Sequence, residues 1–177
     1  MSYQSTGIQG WMGDGKELPW LFDTASKMRS VVEIGCWRGR STHAILSGCP
    51  GPVWAVDHFL GCPLERDSNH ADAKDQDIRA QFLANVGMFP NLKLLAMESG
   101  DAAEHLGPGF RVDMVFIDAA HEYADVRRDL ELWAPKARRI VSGHDFQATG
   151  VNKAVLEYFG REPDELADGV WAYRMDQ

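Results

Sequence analysis

Short, nearly unbroken apolar runs alternate along the chain with stretches in which apolar residues recur every three or four positions. The runs predict strands at Val31–Gly35, Val53–Asp57, Leu92–Ala96, Asp113–Asp118, Arg139–Ser142 and Val170–Met175, with a weaker edge candidate in 162–168. Val112-Asp113-Met114-Val115-Phe116-Ile117 shows almost no polar alternation, as a parallel strand buried on both faces requires. The periodic stretches predict helices. Leu18, Leu21, Phe22, Ala25 and Met28 make one face over 17–29. Ser41–Ser47 follows the first strand, and Ile78, Phe82, Leu83 and Val86 mark a helix over 75–88. Tyr123, Val126, Leu130 and Trp133 mark another, which Pro135 stops. Val151, Val155, Leu156 and Phe159 mark the last, ended by Gly160. Strands and helices in alternation predict an α/β fold with a largely parallel sheet. Residues 59–74 break the rhythm with Gly61, Pro63 and Asn69, and predict either a cap loop over a ligand site or an insertion without a role.

Composition narrows the picture. A length of 177 residues with 45% hydrophobic and 25% charged content suits one domain over 1–177. The net charge of −8 argues against nucleic acid as a partner, because phosphate binding draws on clustered Lys and Arg. Lys136, Arg138 and Arg139 form only a short basic turn. The first residues are polar and Gly-rich, unlike a signal peptide, and no apolar run suits a membrane span. Cys36, Cys49 and Cys62 are odd in number and lack C-x-x-C spacing, so reduced thiols in a cytoplasmic protein are expected. Cys36 reads as a packed side chain or as a reactive thiol.

The candidate chemistry sits at strand ends, where an open parallel sheet binds its ligands. Val31-Val32-Glu33-Ile34-Gly35-Cys36-Trp37-Arg38-Gly39-Arg40-Ser41-Thr42 is a strand, a glycine turn and a helix start. Its G-x-x-x-G spacing departs from the dinucleotide pattern, and the Gly-Lys-Ser/Thr of a P-loop is absent. Asp57 ends the second strand, where an acid accepts bonds from both ribose hydroxyls of an adenosine ligand. Glu98-Ser99-Gly100-Asp101 follows the third, as a ligand-lining turn or as a surface turn with Asp101 capping a helix. Asp118 ends the fourth, with His121 three residues on, and His144-Asp145 ends the fifth. Asp118 and Asp145 can converge on one hard cation that acidifies a substrate hydroxyl. Histidine, with an ordinary pKa of about 6.5, makes His121 a natural general base. The bland reading is that the two acids cap helices and His121 packs with Tyr123.

The glycine turn with its preceding acid, Glu33, resembles motif I of class I S-adenosylmethionine (SAM) dependent methyltransferases. Asp118-x-x-His121, Gly143-His144-Asp145-Phe146, Gly10-Trp11-Met12 and Gly150-Val-x-x-Ala-Val-x-x-Tyr-Phe are similar to the small-molecule O-methyltransferases of the cephalosporin hydroxylase-like and macrolide-sugar branch. More distantly they resemble the catechol O-methyltransferase type. The resemblance implies a Rossmann-like, doubly wound sheet of six or seven strands, helices on both faces and the last strand antiparallel. It implies SAM contacts from Glu33, Gly35, Gly39, Ser41, Thr42, Asp57, His58, Gly100, Asp101 and Asp118, with His121 and Asp118 catalytic. By the same resemblance Asp118 and Asp145 hold Mg²⁺, with His144 or Phe146 at the third position; His is a softer ligand than Mg²⁺ prefers and Phe is none. His58, Phe59, Trp11 and His144 are candidate walls of the acceptor pocket. The expected function is methyl transfer to an oxygen of a small molecule. The alternatives are a non-catalytic SAM-binding module, with Trp11 and Trp20 at an interface such as a homodimer's, and an NAD-dependent oxidoreductase.

Overall fold

The structure, a computed structural model, describes residues 2–61 and 72–175. Most of the 59–74 cap candidate, and Cys62, therefore lie outside the described residues.

The strands are β1 (Val31–Ile34), β2 (Val53–Val56), β3 (Leu92–Leu95), β4 (Val112–Ile117), β5 (Ala137–Gly143), β6 (Glu165–Ala167) and β7 (Val170–Arg174). Every residue of β1 and β4 is buried, and the two pair in parallel at the sheet's centre, Ile34 beside Ile117. The sheet order is β3-β2-β1-β4-β5-β7-β6. Only β7 runs against the rest, pairing antiparallel with β5 and with β6. The edge candidate in 162–168 is thus the short strand β6, joined to β7 through Asp168-Gly169, a residue pair suited to a tight hairpin.

Among the described residues, six α-helices cover the two faces. On one lie α1 (Glu17–Ala25), α2 (Arg40–Gly48) and α3 (Ile78–Val86), burying Leu18, Leu21, Ile45 and Phe82 with Val31, Met114 and Phe116. On the other lie α4 (Ser99–Leu106), α5 (Tyr123–Trp133) and α6 (Thr149–Phe159), burying Leu130, Trp133 and Val155 with Val32, Ile34 and Val115. Side chains of a strand alternate between faces, so each central strand feeds both cores. The helix α4 has no counterpart among the apolar periodicities, because its buried residues are only Ala102 and Ala103. It starts at Ser99, so Asp101 stands in its first turn and not at its cap.

The chain moves outward from β1 to β2 to β3, then returns to the far side of β1 at β4. Loops leaving β1 and β4 part there, and a crevice opens at the carboxyl ends of the strands. Among the described residues no helix is long and apolar enough to cross a membrane.

Candidate functional site

The floor of the crevice is the turn after β1. Gly35 takes φ +86°, and a Cβ there would lie 2.1 Å from the Asp118 carbonyl oxygen. Only glycine lets β1 and β4 end this close together. Asp57 then organises the turn. Its Oδ2 accepts the Cys36 and Trp37 N–H groups, each at 2.8 Å, and its Oδ1 accepts the Phe59 N–H at 2.6 Å. A carboxylate has about four lone-pair sites, so Asp57 keeps acceptor capacity toward the crevice. Trp37, Phe59 and Asp145 all hold positive φ, at 47°, 62° and 55°. These strained residues stand just past β1, β2 and β5, and such strain concentrates at ligand sites.

A cavity of about 440 Å³ runs across these strand ends, within the usual range for a small-molecule site. Gly35, Ser41, Asp57 and His58 line one part of it; Asp118, His121, His144 and Asp145 line another. Glu33, Gly39, Thr42, Gly100 and Asp101 are not on its wall. Met97, Glu98 and Ser99 fill the place expected of Gly100 and Asp101. Phe59 is also off the wall; it is buried against Phe82, ring centroids 5.3 Å apart. Glu33 lies fully buried beneath the turn, and neither carboxylate oxygen has a partner at hydrogen-bonding geometry. Burial pushes its carboxyl up to about 8, against a smaller opposing pull from Ser41 and Thr42.

The segment before α1 roofs the cavity, with Gln9, Gly10, Trp11 and Met12 on its wall. Two arginines of the glycine turn hold it. Buried Arg38 donates to Gln9 Oε1 (2.5 Å), Gln81 Oε1 (2.7 Å), Asp72 Oδ2 (2.8 Å) and Gln76 Oε1 (3.1 Å). Arg40 donates to the Ile8 and Met12 carbonyls at 2.6 and 2.8 Å. Trp11 packs on Trp37, ring centroids 5.9 Å apart.

At the other end a charged chain forms. His121 Nε2 lies 2.9 Å from Asp145 Oδ2, and His144 Nδ1 lies 3.1 Å from the same oxygen and 3.7 Å from Asp118 Oδ1. His144 Nε2 meets Glu17 Oε1 at 2.8 Å. Ligand atoms of Asp118, His121 and Asp145 all fall within 4.8 Å of one another. Burial alone would lower His144, but the Asp145 hydrogen bond and the charges of Asp118 and Asp145 outweigh it and push the ring up to about 10. Burial raises Asp118 to about 6, opposed by His144. Burial also opposes ionisation of Asp145, yet the two imidazole hydrogen bonds hold it well below the usual carboxylate range.

Sequence reasoning missed Glu17, Arg38 and Arg40. Glu17 looks like an ordinary acid in the first turn of α1, and its partner His144 is 127 positions away. The arginines offered one signal: two cations inside a glycine turn that shows no P-loop pattern.

A doubly wound sheet with an elongated cavity at its switch point, acids at the strand ends and a carboxylate–imidazole cluster at the lip defines a cofactor-binding α/β protein. The chain belongs to the methyltransferase-domain family, whose pattern residues 32–146 match. It is 25% identical over 151 residues to the protein y4gI of Sinorhizobium fredii (strain NBRC 101917 / NGR234), covering 84% of this chain and 16% of y4gI. The chain thus spans less than a fifth of that relative's length. Among solved structures, cofactor-bound Rv0187 from MTB superposes with a TM-score of 0.65 at 19% identity, covering 94% of this chain and 82% of the other. The Bacillus cereus O-methyltransferase in complex with SAH gives 0.62 at 16% identity, covering 97% and 84%. TomG, the Streptomyces achromogenes O-methyltransferase in complex with SAM, gives 0.60 at 18% identity, covering 89% and 78%. These likenesses place the fold.

Proposed function

We propose that the chain is a SAM-dependent methyltransferase acting on an oxygen of a small molecule. The observation that carries this reading is one continuous cavity joining the Asp57-braced glycine turn to the Asp118/His121 lip. The family and the SAM- and SAH-bound neighbours support it. The net charge of −8 favours a small acceptor over nucleic acid, and the buried free thiols of Cys36 and Cys49 suit a reducing cytoplasm.

The cavity fits the cofactor. Gly35 and Ser41 would face its amino-acid end, Asp57 and His58 its ribose, and Met97, Ala119 and Ala120 its base. When bound, SAM supplies a sulfonium methyl group whose C–S bond breaks as the acceptor's O–C bond forms. The chain's own residues handle the proton. His121 Nε2 stands 2.9 Å from Asp145 Oδ2, which orients the ring as the base. The His121 imidazole takes the proton of the acceptor hydroxyl, and Asp145 steadies the imidazolium that forms. The roof, with Trp11 and Met12, keeps water from the reacting oxygen.

Calorimetry with SAM and S-adenosylhomocysteine, followed by methyl transfer to a panel of hydroxylated acceptors, tests the proposal. Binding of both ligands and product formation are expected. No binding at millimolar ligand, or NAD(H) binding in place of SAM, would overturn it.

A further inference from the structure

We propose that His144, anchored by Glu17, takes the place of a cation between Asp118 and Asp145, so that this site orders its base without a divalent metal ion. The inference rests on the methyl-transfer reading only in taking His121 as the base.

The donor atoms expected to hold Mg²⁺ do not fit it. His144 Nε2 lies 2.8 Å from Glu17 Oε1, and Nδ1 lies 3.1 Å from Asp145 Oδ2. Both ring nitrogens are thus engaged by carboxylate oxygens, and neither is open to a metal. Asp145 Oδ2 is taken as well, since it faces both His144 and, at 2.9 Å, His121. The Gln147 amide stands 3.3 Å from its other oxygen. The proximity of His121 and Asp145 is therefore that of a hydrogen bond, with Asp118 standing 3.7 Å from the His144 ring. An ion held by Asp145 Oδ2 would displace both imidazole contacts to that oxygen.

Glu17 is the positioning residue of this chain. Its Oε1 accepts the Gly169 N–H at 2.9 Å along with His144, and its Oε2 accepts the Gly13 N–H at 2.6 Å. A Cβ at position 169 would lie 2.7 Å from His144 Nε2 and 2.8 Å from Glu17 Oε1, so the hairpin turn presses its glycine onto this pair. Glu17 fixes His144, His144 fixes Asp145, and Asp145 orients His121. One consequence concerns the acceptor. Without an ion to chelate, it needs a single hydroxyl and gains nothing from an adjacent pair.

The test uses the whole protein with and without S-adenosylhomocysteine. Calorimetric titration with Mg²⁺ and Mn²⁺ should show no binding that Asp118→Asn removes. ¹⁵N spectra should show both His144 ring nitrogens protonated at pH 7.5. Glu17→Gln should shift the Nε2 signal and lower kcat/KM at least tenfold with S-adenosylhomocysteine affinity within twofold, and Glu17→Asp should recover part of both. Metal binding lost in Asp118→Asn, a neutral His144 ring, or a Glu17→Gln variant with unchanged signal and rate would each overturn the proposal. A protein with the charged ring and no metal site that fails to bind S-adenosylhomocysteine would refute the cofactor reading and leave this one standing.

Discussion

Replacing Glu33 with glutamine should stabilise the protein at alkaline pH and change little in acid. Burial lifts this carboxyl from an ordinary 4.5 to about 8. The sign follows from proton linkage. Below pH 4.5 the side chain is neutral in both the folded and the unfolded chain, and no penalty exists. As pH rises the unfolded chain releases the proton while the folded chain keeps it, so stability falls until the folded group ionises near pH 8. At about 1.4 kcal/mol per pKa unit, the full loss is about 5 kcal/mol, and about 2 kcal/mol of it is present by pH 6. That is a large part of the ~5–15 kcal/mol typical of a folded domain. Gln keeps the shape and cannot ionise, so Glu33→Gln should match the parent at pH 4.5 and exceed it by up to about 5 kcal/mol at pH 9, or about 10–20 °C in Tm. His144 also loses stabilising charge as pH rises toward 10, but it does so in both proteins and cancels in the difference. Urea denaturation of the two at pH 4.5, 6, 7.5 and 9 measures that difference. A gap that stays flat with pH would refute the reasoning, since it would mean that Glu33 is ionised throughout or solvated.

Three more outcomes are expected. His121→Ala should lower kcat about 10²-fold or more in a methyl-transfer assay while calorimetry finds S-adenosylhomocysteine affinity unchanged, the mark of a general base. Gly35→Ala would place a Cβ 2.1 Å from the Asp118 carbonyl oxygen; it should cost about 2–4 kcal/mol in thermal denaturation and weaken S-adenosylhomocysteine binding in step. Arg38→Ala leaves Gln9, Gln81, Asp72 and Gln76 without their shared donor, so amide exchange should quicken over residues 8–12 and limited proteolysis should cut there first.

The sheet was legible because its signal is local. Short apolar runs closed by Gly35, Asp57 or Asp118, the first broken by an acid (Glu33), announce a buried strand and the end at which a ligand sits. The roles of those end residues were less legible, because they depend on geometry that spacing does not carry. Glu33 sits two residues before the glycine turn, but the alternation of a strand sends it into the core against α2, away from the cavity. Asp57 stands at the end of β2 on the cavity wall, where it accepts peptide N–H groups of the neighbouring loops. The helix α4 was hidden because alanines give no apolar stripe. Glu17 was beyond reach for a different reason: its meaning comes from His144 and Gly169, and nothing near it in the chain hints at either.

The contact between Glu17 and Gly169 spans 152 positions, and this has a consequence during synthesis. The ribosome makes α1 well before the β6–β7 hairpin. A growing chain can dock its first helices on β1, β2 and β4 as they emerge, in the usual N-terminal-first order. It cannot clamp Glu17 against Gly169 until the hairpin turn arrives, so the ion pairs of the lip settle only then. A product cut short before Gly169 would own its glycine turn and still lack an aligned base. The lip is therefore completed by a segment made long after the glycine turn, and it can align only once that segment has folded back.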